Sequence, residues 1–508
     1  MPKRIVNRYI FPPCFPPPFA LSPSFVILEC MNAEVLGISR AVREAGGRAM
    51  LVGGSVRDLL LGIQSKDSKD FDLEVYGIAP DRLRSILESI APVNAVGEQF
   101  TVYKLAFQAP PEGKAEGEPE DRTGSDRGPG RLEIDVSIPR RESKSGRGHR
   151  GFIIEGDPGM SFEEAARRRD FTVNAVLLDP LTGEMIDPFG GVDDLKNRIL
   201  RAVAEDTFVE DSLRVLRAVQ LAARFEMSIE PRTVELCRSI DLADLPAERI
   251  WGEFEKLLML AARPSIGLEA ARELLVLDKL FPEIAATIGC PQEPEWHPEG
   301  DVFTHTKLCM DEAVKLVGDL DKPRRITVML AVLLHDLGKP LTTRIIDGRI
   351  RSMSHDDEGV EPARRVLNTL GLHTLGGYDV RSQVLALVFD HLRPGQFHRD
   401  GERVTPGAFR RLARRVNINL LYRVAKADSL GRGAASTSVS QEWFLERARE
   451  IGVEHGAPAA LLQGRHLIEA GFEPGPRMGE LLRLVYELQL DGKVTTVEEA
   501  LEAAKRIE

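Results

Sequence analysis

The spacing of apolar residues changes period several times between Arg48 and Val102. AMLVGG is a short apolar run ending on two glycines, and SVRDLLLG carries apolar residues at helical spacing. FDLEVYGI then alternates as a half-buried strand does, and the stretch from Asp81 to Ile90 returns to a helix. Such alternation predicts an α/β unit. LEIDVSI predicts one further strand, separated from the preceding ones by residues 108–131, which are rich in Pro, Gly and charge. A segment of that composition buries no core and is expected to be a disordered excursion between two strands.

Beyond Asp206 the strand patterns fade. DSLRVLRAVQLAARF and ITVMLAVLLHDLGK have helical periodicity, and Glu248–Leu258 places Ile250, Phe254 and Leu257 on one apolar face. Proline-containing residues 290–298 and glycines 431–433 mark breaks. The expected organisation is a Pro-rich extension over 1–30, an α/β head over 31–205, a helical neck over 206–288, a helical domain over 289–440 and a helical tail over 441–508. Ahead of that tail's last helix, Thr496 and Glu499 have the spacing of a capping box.

Composition narrows the class. With 508 residues, 43% hydrophobic, 29% charged and 6% aromatic, the chain suits a soluble, helix-rich protein of several domains. No apolar run reaches the roughly 18 residues of a spanning helix. The net charge of −11 argues against a generally cationic nucleic-acid coat, though not against a local basic groove. Five cysteines without a CxxC pair fit thiols in a reducing cytoplasm. Prolines 12, 13, 16, 17 and 18 interrupt any signal-peptide core, and the amphipathic pattern beginning directly after Met31 makes Met31 an alternative start.

The candidate chemistry begins at the two glycines. A backbone without Cβ at Gly53 and Gly54 can approach phosphate closely, and Arg57 follows within a turn of a helix expected to start at Ser55, capped through Asp58. Asp70 and Asp72 come eight and ten residues past Gly62, where that helix is expected to end. On a strand they face the same way, and two carboxylates that close are stabilised by cations between them. Two Mg²⁺ ions there would suit nucleotidyl transfer. Asp135 is either a third acid or structural. Asp211 and Arg214, three apart on an expected helix, are either a base-reading pair or a surface ion pair.

GGSVRD, KDFDLEVYG, RRRDFTVNA, DPFGGVDDLKNRILRAV, EDSLRVLRAVQLAARF and ERIWGEFEKLL resemble, in order, the motifs of class II tRNA CCA-adding enzymes and bacterial poly(A) polymerases. The resemblance covers some two hundred residues. It implies a polymerase beta-like mixed sheet with helices, followed by an all-α neck. It also implies metal binding at Asp70 and Asp72, nucleotide contacts at Gly54, Arg57, Arg169 and Arg217, and base selection by Asp211 with Arg214. Gln220 departs from that pattern, where the family carries an arginine. Asp170 either orients Arg169 or fixes a loop.

His305, the adjacent His335 and Asp336, and Asp428 resemble the ligand set of HD phosphohydrolases, with His355 and His391 as further candidates. GCPQEPEWHPEGDVFTHT resembles the same region of HD-bearing CCA-adding enzymes. A His and an Asp at the end of so apolar a helix are costly to bury without a partner, and Ni²⁺, Mn²⁺, Co²⁺ or Mg²⁺ would supply one. Some HD domains serve only as RNA-binding helices. The cluster Arg410, Arg411, Arg414 and Arg415 either binds phosphates or coats a solvated face.

The expected function is a Mg²⁺-dependent, cytoplasmic tRNA nucleotidyltransferase using CTP and ATP, with no membrane partner. The alternatives are A-only addition and an HD phosphohydrolase whose head merely binds RNA. The sequence leaves the oligomeric state open.

Overall fold

A computed structural model describes residues 31–63, 70–96, 102–108, 131–144, 152–433 and 437–507. The expected extension over 1–30 and residues 109–130 of the expected insertion lie outside them. Contacts divide the chain into two compact units, Met1–Arg214 with Met227–Ile240, and Val215–Glu226 with Asp241–Glu508.

The first unit is built on a mixed sheet. Its strands are β1 (Arg48–Leu51), β2 (Asp70–Tyr76), β3 (Val93–Val96), β4 (Val102–Gln108) and β5 (Arg131–Ser137). A separate hairpin, β6 (Arg140–Lys144) and β7 (Phe152–Gly156), precedes the short strands β8 (Leu177–Leu178) and β9 (Met185–Ile186). The sheet runs in the order β3-β4-β5-β2-β1-β8-β9. β2 is central, antiparallel to β1 and parallel to β5, with Asp72 opposite Asp135.

The alternation in β2 sorts its residues between two layers. Phe71, Leu73 and Val75 join a core with Ile134, Val136 and the helices Ala33–Glu44 and Pro80–Glu88, which contribute Val35, Ile38, Val42, Leu83 and Leu87. Each such side chain contributes about 1.5–3 kcal/mol on full burial. Tyr76 belongs to a second cluster on the other side, with Met50, Val52, Ala165 and Ala166. The polar residues of β2 therefore share a face with the loop that follows the helix Phe162–Arg167, which is closed by a Ser161–Glu164 capping box.

The second unit is helical apart from two short hairpins. Lys322–Leu334 is its central helix, buried continuously from Ile326 to Leu334, and it packs against Val302–Leu316, Val380–Asp390 and Ile418–Leu430. Ile250, Phe254 and Leu257 are buried on the helix Ala247–Leu260, as their spacing predicts. The tail helices Gly464–Glu469, Pro476–Leu490 and Val497–Ile507 share a core of Leu467, Leu481, Val485, Ala500 and Ala504. Thr496 Oγ1 accepts from the Glu499 amide as expected, while the Glu499 carboxylate turns back to Thr495 rather than to Thr496.

The arginine cluster has a third role that the sequence did not suggest. Arg411 and Arg414 pair with Glu487, and Arg410 Nη1 donates to the Leu490 carbonyl, so the cluster fastens the tail. Arg415 instead reaches Asp390 at 2.8 Å. Among the described residues, no helix is long and apolar enough to cross a membrane.

Candidate functional site

In the first unit the glycine turn, β2 and the loop after Arg167 converge. Gly53 has φ +70°, a conformation that favours glycine, and caps the helix Gly54–Leu60. The helix thus begins before Ser55, whose hydroxyl accepts from the Asp72 amide at 3.4 Å instead of capping. A Cβ on Gly53 would lie 3.4 Å from Arg169 Nη1 and 3.8 Å from Asp72 Oδ2, so turn, acid and guanidinium face one small space. Asp72 is exposed there, and Asp70 opens the same strand two residues earlier. The side chain of Asp70 is outside the described residues. Asp135 stands beside Asp72 in register, and its carboxylate is paired with Lys104 at 2.7 Å.

Two carboxylates that sequence reasoning did not select or resolve organise the guanidinium groups. Glu74, 1% exposed, accepts from Arg168 at 3.2 Å, Arg169 at 3.4 Å and the Tyr76 hydroxyl at 2.7 Å. Burial opposes its ionisation, yet Arg169, Arg168 and Tyr76 outweigh that penalty and hold its carboxyl below the usual range. Extending the i, i+2 argument one step beyond Asp72 would have found it. Asp170 accepts from the Phe171 amide and from Asn174 Nδ2, and Asn174 Oδ1 in turn accepts from Arg57 Nη1 at 2.8 Å. Asp170 therefore fixes its own loop. Arg57, 5% exposed and also paired with Asp58, ties the glycine turn to that loop.

Asp211 lies two residues ahead of the helix Leu213–Phe225 rather than on it, and its carboxylate accepts from the Leu213 amide. This is the role of a short acid at a helix start, where backbone amides lack helical partners. Arg214 donates to the carbonyls of Thr207 and Arg168 at 2.7 and 2.6 Å, with its guanidinium over Phe208. Arg217 is half-buried one turn further along, in the second unit. Gln220 is buried and accepts from Arg224 Nη1.

In the second unit, all six candidate ligands meet. His305 comes from the helix Val302–Leu316, His335 and Asp336 from the end of the central helix, and His355 from the short helix His355–Glu358. His391 follows Val380–Asp390, and Asp428 lies on Ile418–Leu430. His335, His355 and His391 each place Nδ1 2.6–2.7 Å from the carbonyl three residues back, so Nδ1 carries the proton and Nε2 the lone pair. Those Nε2 atoms lie 3.1, 3.4 and 4.0 Å from Asp336 oxygens. Among the described residues, His335 Nε2, His391 Nε2 and Asp336 Oδ1 are buried without a hydrogen-bond partner. The 3.1 Å approach of His335 lacks the alignment of a hydrogen bond. Inward-facing lone pairs around a buried carboxylate, whose Oδ2 meets Lys339 at 2.7 Å while Oδ1 has no hydrogen-bond partner among the described residues, fit a divalent cation, and the carbonyls behind the imidazoles fit its outer shell.

The surroundings add groups that the sequence did not single out. Glu299 Oε1 lies 2.9 Å from His297 Nδ1 and 2.7 Å from His305 Nδ1, which turns His305 Nε2 toward Asp428 at 3.1 Å. Burial raises the Glu299 carboxyl, but its imidazole partners prevail and bring it down to about 2. Burial, reinforced by His335 and His355, lowers His391 to about 3 and keeps it neutral. Lys339 bridges Asp336 and Gln292, and Arg432 pairs with Asp428. A cavity of about 250 Å³ opens onto these ligands, lined among others by Trp296, Lys339 and Arg432.

A mixed-sheet head with an acidic strand beside a glycine turn, followed by helices that gather an HD-type ligand set, defines a two-site class: a nucleotidyltransferase head joined to an HD domain. Family models match accordingly: "Poly A polymerase head domain" over 49–201, "Probable RNA and SrmB- binding site of polymerase A" over 226–288 and "HD domain" over 302–433. The multifunctional CCA protein of Stenotrophomonas maltophilia is 33% identical over 446 residues, covering 85% of this chain and 96% of that one. That of Acinetobacter baylyi is 34% identical over 416 residues, covering 79% and 88%. The chain belongs to the multifunctional CCA protein family. Its fold is similar to that of a CCA-adding enzyme solved with CTP (TM-score 0.59, 21% identity, 96% of this chain and 98% of that one). It is likewise similar to the Thermotoga maritima CCA-adding enzyme complexed with tRNA (TM-score 0.56, 21% identity, with the same coverage).

Proposed function

We propose that this protein adds CMP and AMP from CTP and ATP to the 3′ end of tRNA without a nucleic-acid template, and that its HD domain hydrolyses phosphoesters. The observation that carries the first part is the 33% identity to a multifunctional CCA protein across nearly the whole of both chains. The domain limits given from the sequence are kept as part of this reading. A cytoplasmic location follows from the substrate.

In the head, Asp70 and Asp72 hold Mg²⁺, which when bound would neutralise the triphosphate and favour ionisation of the attacking 3′-hydroxyl. Arg169, oriented by Glu74 beside Gly53, binds phosphate, and Gly54, where a Cβ would lie 3.3 Å from Arg57 Nη2, contacts the nucleotide through its backbone. Arg57 supports this turn through Asn174 while contributing to nucleotide binding. Asp211 accepts from an exocyclic amine and Arg214 donates to ring nitrogen or carbonyl, which suits cytosine and adenine edges. Arg217 adds a further nucleotide contact.

In the HD domain, His305, His335, Asp336 and Asp428 hold a divalent cation such as Ni²⁺, Mn²⁺, Co²⁺ or Mg²⁺, with His355 and His391 on the same centre. A bound cation would polarise a phosphoryl oxygen. Lys339 and Arg432 supply positive charge along the cavity for a phosphoester, of which 2′,3′-cyclic phosphates are the expected class.

The deciding experiment presents purified protein with tRNA ending before C, after C and after CC, with each nucleoside triphosphate in turn. Stepwise addition of C, C and A is expected, falling to background in Asp70→Ala/Asp72→Ala. Addition of AMP alone would replace this reading with A-only addition. Hydrolysis without any addition would leave an HD phosphohydrolase with an RNA-binding head.

A further inference from the structure

Trp296 sits on a fixed turn and is nevertheless left uncovered. The amides of Trp296 and His297 both donate to the Glu293 carbonyl, at 3.0 and 2.9 Å. Pro294 and Pro298 restrict the backbone on either side of them. The Glu293 carboxylate accepts from the Ile350 amide at 2.9 Å, which fastens the turn to the strand Arg349–Ser352. Gln292 Oε1 accepts from Lys339 Nζ at 2.6 Å and fastens it to the cavity wall. The indole itself is 59% exposed and has no ring, cation or hydrogen-bond partner among the described residues. Trp443, by contrast, packs its ring against His398 and Phe409. An aromatic face of this size, unburied on a fixed backbone, suits a planar ligand.

The place of Trp296 in the cavity narrows that ligand. Exposure rises from Asp336 and His391, at 2% and 1%, through Lys339 at 7% to Trp296, so the carboxylate and imidazole form the floor and the indole the mouth. At about 250 Å³ the cavity is at the small end for a ligand pocket, and it admits a single nucleotide unit rather than a base-paired stem. A phosphoester held at the floor beside Lys339 and Arg432 points what its sugar carries toward the mouth. A nucleobase is the substituent with a π face that stacks on tryptophan.

We propose that Trp296 is the nucleobase platform of the HD cavity, stacking the base of a nucleoside phosphate or cyclic phosphate whose phosphoryl group lies beside Lys339 and Arg432. The inference rests on the HD phosphohydrolase reading above and deepens it, assigning recognition of the base to a residue that is no metal ligand. Stacking accepts every base, and a purine gains more from it than a pyrimidine. Trp296 thereby separates nucleotides from base-free phosphoesters. A free nucleotide and the 3′-terminal nucleotide of an RNA share this chemistry.

The test measures kcat/KM of the full chain, supplied with Ni²⁺, for adenosine 2′,3′-cyclic phosphate and for glycerol cyclic phosphate, which has the same phosphate ring and no base. The parent is expected to favour the nucleotide by about 5- to 150-fold, the range of one base–aromatic stack, Trp296→Ala to lose that preference and Trp296→Phe to keep part of it. Adenosine 3′-monophosphate should quench tryptophan emission more in the parent than in Trp296→Phe. A short single-stranded RNA ending in a 2′,3′-cyclic phosphate distinguishes the two sources, since only a source that uses the platform is hydrolysed less well by Trp296→Ala. A parent without preference, or a preference unchanged in Trp296→Ala, would overturn the platform while leaving the phosphohydrolase reading intact. No hydrolysis of any ester, with quenching still reduced in Trp296→Phe, would overturn that reading and support the platform as a binding site. Neither hydrolysis nor a difference in quenching would overturn both. The parent's own preference needs no variant, so a Trp296→Ala protein that misfolds does not decide the outcome.

Discussion

At Gly338 a single methyl group would meet the main chain of another segment. A Cβ there would lie 2.0 Å from the His355 carbonyl oxygen and 2.7 Å from the Gly359 amide, both backbone atoms that cannot swing aside. Gly338 follows the His335-Asp336 pair by two residues and lets the His355 helix pack directly against it. Gly338→Ala is therefore expected to cost about 1–3 kcal/mol by overpacking and to weaken divalent-ion binding by displacing His355. Gly395 is the comparison, since a Cβ added there meets nothing within 4 Å and the residue sits inside the helix Arg393–Asp400. Gly395→Ala should be neutral or stabilising by up to about 1 kcal/mol. Urea denaturation with parallel Mn²⁺ titration measures both. Equal stability of the two variants would contradict the close approach.

At the level of elements, the arginine run separates contacts of unequal weight. Arg411 and Arg414 meet Glu487 with both partners about 42% exposed, so each pair contributes about 0.2–1 kcal/mol. Arg393 and Arg415 converge on Asp390, whose carboxylate is 1% exposed. Removing both guanidinium groups strands a buried charge, a loss of about 3–5 kcal/mol. In chemical denaturation Glu487→Ala, which breaks both exposed pairs, should thus shift stability by at most about 2 kcal/mol, and Arg393→Ala/Arg415→Ala by about 3–5 kcal/mol. Periodicity announced these helices but not what covers them, because Glu487 lies 76 residues from Arg411. The same limit explains Ser55 and Asp211. Local spacing suggested a cap at one and a helical position at the other, whereas a left-handed Gly53 and the start of the helix at Leu213 place them otherwise.

Over the whole chain, the head was legible where the turn at Gly53 and the placement of Asp70 and Asp72 on one strand follow from local spacing, while Glu74, two residues further along the same strand, was missed. Asn174 was not legible, because its bond to Arg57 spans 117 residues and involves no charge pattern. His305 and Asp428 meet across 123 residues. Only the ordered resemblance assembled that set beforehand, and the orphaned Nε2 and Oδ1 atoms appear only in three dimensions. Each set of candidate metal ligands lies inside one unit, which has its own buried core. Changes at sites that share no partners add to within about 0.5 kcal/mol, or about twofold in rate. Asp70→Ala/Asp72→Ala should therefore abolish nucleotide addition while holding hydrolysis of 2′,3′-cyclic nucleotides within about twofold of the parent, and His335→Ala should do the reverse. Both assays on both variants, with circular dichroism confirming the fold, make the comparison. Loss of addition in a folded His335→Ala protein would show that the two chemistries share a conformational state, and the units could then no longer be treated as independent catalysts.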